Sequence, residues 1–121
     1  MRRFLRSFRF AVSGVAYTVR TQRNMRIHLA FAVAVIVAAT ALGVSALEGA
    51  VLALAAASVM ALELVNTAVE RTIDRIGPDP HPLAKTAKDA AAGAVLVAAA
   101  GAALAGLFIL GPPLWRLLFG G

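Results

Sequence analysis

Four polar residues recur at helical spacing within and just after an apolar stretch of the chain. They are Glu63, Asn66, Glu70 and Asp74. At about 100° per residue, their intervals place all four within about 80° of one helix face. Because an ionised Glu63 in apolar surroundings is costly unless it binds a proton, a metal ion or a partner, it is a candidate functional group. The alternative is structural: Glu63 and Asn66 hydrogen-bond to a neighbouring helix.

A second cluster, of Lys85, Lys88 and Asp89, immediately precedes the last apolar stretch. Acids that can ligate a divalent cation, beside lysines that can contact phosphate, are the groups that phosphoryl transfer requires. With a buried carboxylate nearby, they indicate transfer from a nucleotide to a lipid hydroxyl. The chain lacks a glycine-rich loop ending in Gly-Lys-Ser/Thr, a protein-kinase catalytic loop and a dinucleotide fingerprint. A P-loop kinase is therefore excluded.

The elements that must position these clusters are membrane-spanning helices. The chain is 60% hydrophobic, and its mean hydropathy of +0.81 is too high for an ordinary soluble domain. Residues 29–47 and 90–110 carry no charge, and residues 49–69 are apolar except for Glu63 and Asn66; each stretch is near the ~20 residues that cross a bilayer as a helix. The prediction is an all-α integral membrane protein with one domain, residues 1–121. Its three spans are predicted at about 27–47, 49–76 and 84–110, the last ending at Gly111-Pro112-Pro113.

The positions of the basic residues predict the orientation. Of the twelve Lys and Arg residues, seven lie in residues 1–28 and four in residues 70–89. The positive-inside rule then places the N-terminus and the second loop in the cytoplasm, as expected of a bacterial inner-membrane protein. Residues 3–20 have the pattern of an amphipathic helix on the membrane surface. The net charge of +6 does not indicate nucleic-acid binding, because the single Tyr and Trp do not alternate with the basic residues.

Two segments, LELVNTAVERTIDRIG (residues 62–77) and HPLAKTAKDAAAGAVL (residues 81–96), resemble the prokaryotic diacylglycerol kinase family, especially its undecaprenol kinase branch. SFRFAVSGVAYTVRTQRNMRIHL (residues 7–29) extends the resemblance over most of the chain. The resemblance implies a homotrimer of three-span protomers with an N-terminal surface helix. It also implies ATP as co-substrate, Mg²⁺ as cofactor, and active sites between subunits at the cytoplasmic interface.

The resemblance also implies roles for individual residues. Glu63 would be the general base for the lipid hydroxyl, Asn66 would orient that hydroxyl, and Glu70 would ligate magnesium. Lys88 would contact the terminal phosphates of ATP, and Asp89 would lie on the nucleotide side of the site. Three further residues would lie towards the nucleotide: Asp74, Asp79 and His81.

Gln22 is a departure from the family pattern. Where family members commonly carry a second metal-ligating Glu before the first span, this chain has Gln22. A neutral amide oxygen can ligate a hard cation but contributes no charge, so weaker metal binding is expected. The alternative is that Gln22 and Asn24 only solvate the start of the helix.

The leading prediction is an ATP- and magnesium-dependent kinase of a lipid alcohol. Asn66-Thr67-Ala68 and residues 89–95 resemble the undecaprenol kinases and favour undecaprenol as the acceptor. Two alternatives stay open: a diacylglycerol kinase of the same family, and a non-catalytic small subunit of a membrane assembly.

Overall fold

The structure, a computed structural model, describes residues 1–120, and all of its secondary-structure elements are helices. Residue 121, the last of the predicted domain, lies outside the described part. The four helices are α1 (Arg2–Thr21), α2 (Arg23–Leu42), α3 (Ala46–Ile76) and α4 (Pro82–Phe119). Three of them, α2 to α4, are long and apolar enough to cross a membrane. The prediction of an all-α fold is therefore confirmed, and the three helices predicted as spans have the length and composition to cross a membrane.

The turn between α2 and α3 is short because both helices carry strong end signals. Gly43 ends α2 with φ 67°, in the left-handed region, and its N–H donates to the carbonyls of Ala39 and Thr40. Ser45 begins α3 with a capping box, in which its hydroxyl and the Glu48 carboxylate each accept the other's backbone N–H. Glycine and a Ser-x-x-Glu pair are the residues that these ends favour. α2 thus ends before residue 47, where the apolar run placed the end of the first span.

α4 does not end at Gly111-Pro112-Pro113, and the prediction of a stop there is wrong. The helix continues through both prolines to Phe119. Each proline removes one backbone N–H donor from the helix. In a membrane, a continued helix still satisfies more backbone groups than a break would. Trp115 and Phe119 stack on this extension with their ring centroids 4.5 Å apart.

The long helix α3 is the centre of the fold. It packs most extensively against α4, then against α2, and also contacts α1. Few apolar side chains are fully enclosed, and many large ones on the outer faces are exposed, as suits helices that face lipid or other protein chains. The buried apolar residues are Met25, Ala32, Leu52, Val59 and Val95.

Two arginines hold α1 against the end of the bundle where α2 begins, α3 ends and α4 begins, which we call the polar end. The Arg71 Nε–H donates to the Tyr17 hydroxyl over 2.7 Å, and the Arg71 guanidinium lies 5.7 Å from the centroid of the Tyr17 ring. Arg26 donates from Nη1 to the carbonyls of Val19 (3.0 Å) and Arg20 (2.9 Å). These carbonyls belong to the last turn of α1, which has no helical partners for them. The α1–α2 junction at Gln22 is therefore held from both sides.

Candidate active site

Glu63 lies inside the bundle and is only 2% exposed. It belongs to the part of α3 that faces α2, where the His28 imidazole approaches it with Nε2 3.9 Å from Glu63 Oε2. The Thr67 hydroxyl donates to the Glu63 backbone carbonyl one turn later over 3.0 Å. The structure thus places the predicted base in a position shielded from water, where a carboxylate interacts strongly with any proton or cation that reaches it.

His28 is not among the residues that the sequence pattern predicts for the site. The signal available was an ionisable side chain at the start of an apolar run in α2, one of only two histidines in the chain. An intramembrane ionisable residue calls for a partner. Spacing along the sequence cannot identify a partner on another helix, and the packing of α2 on α3 supplies it.

Asn66 and Glu70 continue the polar face of α3 towards the polar end. The Asn66 amide donates from Nδ2 to Glu70 Oε1 over 3.3 Å, and Asn66 is 7% exposed. The other half of this amide, Oδ1, is buried and has no hydrogen-bond partner within residues 1–120. Leaving a buried acceptor unpaired costs about 1–3 kcal/mol. Asn66 Oδ1 is therefore a free acceptor that a substrate hydroxyl or a hydrated cation could satisfy.

The oxygen atoms of Glu70 and Asn66 are suitable ligands for a magnesium ion whose other ligands are mainly phosphates. In the described part of the chain, no cluster of three or more His, Cys, Asp or Glu side chains is placed to hold a metal ion. Magnesium sites in phosphoryl-transfer enzymes commonly use one or two carboxylates, with substrate phosphates and water as the other ligands. The partly buried Glu70, next to the unpaired amide oxygen of Asn66, meets that requirement.

Gln22 lies at the junction of α1 and α2, at the polar end of the bundle. Its side-chain Nε2 donates to the Thr21 hydroxyl over 3.3 Å, and its backbone N–H donates to the Thr18 carbonyl over 2.8 Å. No hydrogen bond joins Gln22 to Glu70 within residues 1–120. The second predicted metal ligand is therefore at the same end of the fold as Glu70 but is not joined to it.

An open cleft lies between the end of α3, the loop of residues 77–81 and the start of α4. The Lys88 ammonium crosses this cleft and donates to Asp74 Oδ1 over 2.6 Å. The His81 imidazole caps α4, accepting the Leu83 backbone N–H at Nδ1 over 3.0 Å. The structure brings all five residues of the predicted nucleotide side to the lining of this one cleft: Asp74, Asp79, His81, Lys88 and Asp89.

A second, apolar cleft runs between α2, α3 and α4. Its lining extends along α3 from Leu52 to Val59, and His28 is its one ionisable lining residue. Glu63 lies one turn beyond Val59 on the same helix, so the apolar cleft leads towards the buried carboxylate. Small side chains leave this space between the helices: Ala55, Ala56, Ala99, Ala102, Ala103 and Gly106.

The fold and the site together define a class: helical membrane proteins with a buried carboxylate between an apolar cleft and a charged cleft. The sequence model of the family described as "Prokaryotic diacylglycerol kinase" matches residues 9–110. The chain belongs to this family, as the resemblance of its motifs predicts.

Three relatives illustrate the similarity. A diacylglycerol kinase of Synechocystis is 53% identical over 113 residues, which cover 93% of this chain and 65% of that protein. An undecaprenol kinase of Bacillus subtilis is 44% identical over 114 residues, covering 94% of this chain and 93% of that protein. A diacylglycerol kinase of Pseudomonas aeruginosa is 32% identical over 98 residues, covering 81% of this chain and 80% of that protein. The chain thus spans about two thirds of the length of the Synechocystis protein and nearly all of the Bacillus protein.

Proposed function

We propose that this protein is a membrane lipid kinase that transfers the γ-phosphate of ATP to a lipid alcohol, with undecaprenol as the acceptor. The observation that carries the proposal is the position of Glu63. This buried carboxylate lies beyond the end of an apolar cleft, on the same helix as Glu70 and Asp74. A base at that position can act on a hydroxyl that arrives from lipid, while the phosphates arrive from water.

In the proposed reaction, the lipid hydroxyl oxygen attacks the γ-phosphorus, and its proton passes to Glu63. A new P–O bond forms, the bond between the γ-phosphorus and the bridging oxygen breaks, and ADP leaves with that electron pair. The Asn66 Nδ2 has a second N–H beyond the one that it donates to Glu70, and this group can donate to the hydroxyl oxygen while the hydroxyl proton is directed at Glu63. The role of these two side chains is therefore to orient the hydroxyl and to remove its proton.

The charged side chains near the polar end would hold the phosphates. Magnesium, ligated by Glu70 and the phosphate oxygens, would neutralise charge in the transition state. The Lys88 ammonium has three N–H groups and donates one of them to Asp74. The other two remain for the terminal phosphates. Asp74 thereby orients the ammonium group towards the cleft.

The dimensions of the apolar cleft favour a chain-like acceptor. From Leu52 to Glu63 the helix rises about 16 Å at 1.5 Å per residue, which is roughly half of the ~30 Å hydrocarbon core of a bilayer. The cleft can therefore enclose the first part of a long hydrocarbon chain, and the remainder would extend into the surrounding lipid.

Two named relatives point to different acceptors. Undecaprenol is favoured by Asn66-Thr67-Ala68 and residues 89–95, and by the match over 93% of the length of the Bacillus undecaprenol kinase. Diacylglycerol is favoured by the higher identity to the Synechocystis diacylglycerol kinase. We adopt undecaprenol because both its supporting motifs lie beside the site, on α3 and α4.

We further propose a homotrimer in a bacterial inner membrane, with the N-terminus in the cytoplasm and residues 1–121 as one domain. The junction of α1 and α2 and the basic segment of residues 70–89 lie at the polar end, which supports that orientation. The exposed apolar faces of the long helices support contact with further copies or with lipid. Exposed aromatic side chains on α1 support its role as a surface helix: Phe4, Phe8 and Phe10.

The test is phosphate transfer from labelled ATP in detergent–lipid micelles that offer undecaprenol and diacylglycerol side by side. The expected result is magnesium-dependent transfer with preference for undecaprenol. Preference for diacylglycerol would correct the acceptor and leave the mechanism in place. Absence of transfer to both lipids, with no magnesium-dependent ATP binding, would favour the non-catalytic membrane subunit.

Replacing Gln22 by Glu is expected to tighten magnesium binding. A carboxylate adds a charge where the family pattern commonly has one, and even in water two unit charges 4 Å apart interact by about 1 kcal/mol. The magnesium concentration for half-maximal activity should therefore fall by roughly 5-fold or more. Asn24→Asp is the control, because it adds the same charge two residues later, in the first turn of α2. Equal shifts in both variants would show that Gln22 is not a metal ligand.

A further inference from the structure

Within residues 1–120, His28 is the one basic side chain within 4.0 Å of the Glu63 carboxylate, with Nε2 3.9 Å from Oε2. The two side chains differ in access, since the imidazole is 22% exposed and the carboxylate 3%. Within residues 1–120, no hydrogen bond reaches either Glu63 carboxylate oxygen. The proposed base is thus enclosed by packing, but nothing fixes which of its oxygens faces the substrate.

A carboxylate acts well as a base only when a lone pair points at the proton to be removed. Rotation about the last side-chain bond of Glu is soft, so one donor on one oxygen would fix the direction of the other. A separation of 3.9 Å is longer than a hydrogen bond. Catalytic hydrogen bonds are often long before substrate binds and shorten in the substrate complex.

The position of His28 suggests how a bound lipid could shorten the distance between Nε2 and the Glu63 carboxylate. The imidazole lines the apolar cleft between α2, α3 and α4 while its Nε2 faces Glu63. A hydrocarbon chain that fills the cleft would contact the imidazole. Filling the cleft would therefore restrict the motion of the ring beside the carboxylate.

We infer that His28 is a positioning residue for Glu63. With a lipid alcohol in the apolar cleft, His28 Nε2–H donates to Glu63 Oε2 and leaves Oε1 directed at the lipid hydroxyl. This inference rests on the proposed role of Glu63 as base. The Glu63 carboxylate is then fully aligned only when an acceptor lipid occupies the apolar cleft.

Three substitutions at one position separate this role from simple packing. Gln can place its side-chain nitrogen near the position of Nε2, Asn cannot reach it, and Phe keeps a ring without a donor. The expected result is that His28→Gln keeps most of the activity, whereas His28→Asn and His28→Phe lower kcat by roughly 10- to 100-fold. The KM for ATP should be unchanged in all three variants. If His28→Phe were as active as the natural protein and His28→Gln were impaired, a packing role would replace the inference.

A double-mutant cycle with Glu63→Gln shows whether His28 acts through Glu63. Because the Gln variant has no base to align, adding His28→Phe to it should cause no further loss. An equal loss from His28→Phe in both backgrounds would overturn the inference and leave the role of Glu63 intact. Near-normal turnover of Glu63→Gln alone would instead contradict the proposed function, and the inference with it.

Discussion

Glu63→Gln is expected to lower the rate of phosphate transfer by roughly 10²- to 10⁴-fold, the range that general-base catalysis contributes. Gln has nearly the shape of Glu but cannot accept the hydroxyl proton. The side chain lies in the interior of the bundle, and the charged cleft is lined by other residues. Binding of ATP should therefore remain close to that of the natural protein. The measurements are single-turnover phosphate transfer in micelles and equilibrium binding of ATP with magnesium.

Glu48→Gln is the matched control for this substitution. Glu48 lies at the start of the same helix and accepts the Ser45 N–H in the capping box, a role that Gln can also perform. Its activity should stay within about 2-fold of the natural protein, since caps contribute only about 1 kcal/mol to stability. A Glu63→Gln variant that is as active as Glu48→Gln would show that another group takes the proton.

Lys88→Met is expected to raise the KM for ATP by roughly 10- to 100-fold. Hydrogen bonds to charged groups contribute about 1.5–3 kcal/mol, and Lys88 is the proposed contact for the terminal phosphates. Met keeps the length of the side chain and removes its charge. The substitution also leaves the Asp74 carboxylate without its 2.6 Å partner, so a negative charge would face the phosphates. Steady-state kinetics at varied ATP and saturating lipid give the KM and kcat separately.

Two further variants identify the origin of that effect. Arg116→Met removes a positive charge near the other end of α4 and should leave the KM for ATP unchanged. Asp74→Asn removes the acid that orients Lys88 but keeps the ammonium group, so its effect should be smaller than that of Lys88→Met. If Asp74→Asn and Lys88→Met raised the KM equally, the pair rather than a phosphate contact would explain the result.

The cluster on α3 was open to prediction because it is local. The angle between successive residues of a helix is fixed, so the spacing from Glu63 to Asp74 already places these side chains on one face. Asn66 and Glu70 accordingly meet in a hydrogen bond across one turn. The apolar stretches likewise predict three membrane-spanning helices, because backbone groups in lipid must be satisfied within a helix.

The ends of the helices were predictable only in part. Gly43 and the Ser45–Glu48 capping box are strong local signals, and the helices end and begin at them. At Pro112 and Pro113 the local rule fails, since the helix continues to Phe119. A proline costs a helix one hydrogen bond, whereas a break would leave several backbone groups without partners.

The sequence by itself determined the class of protein and the helix faces, because these follow from composition, motif and helical period, and it proposed the residues of the site other than His28. Only the tertiary structure decided which residues meet across helices. The His28–Glu63, Lys88–Asp74 and Arg71–Tyr17 pairs join residues that are 35, 14 and 54 positions apart in the chain. No period relates such positions, and their contacts depend on how α1, α2 and α4 pack on α3.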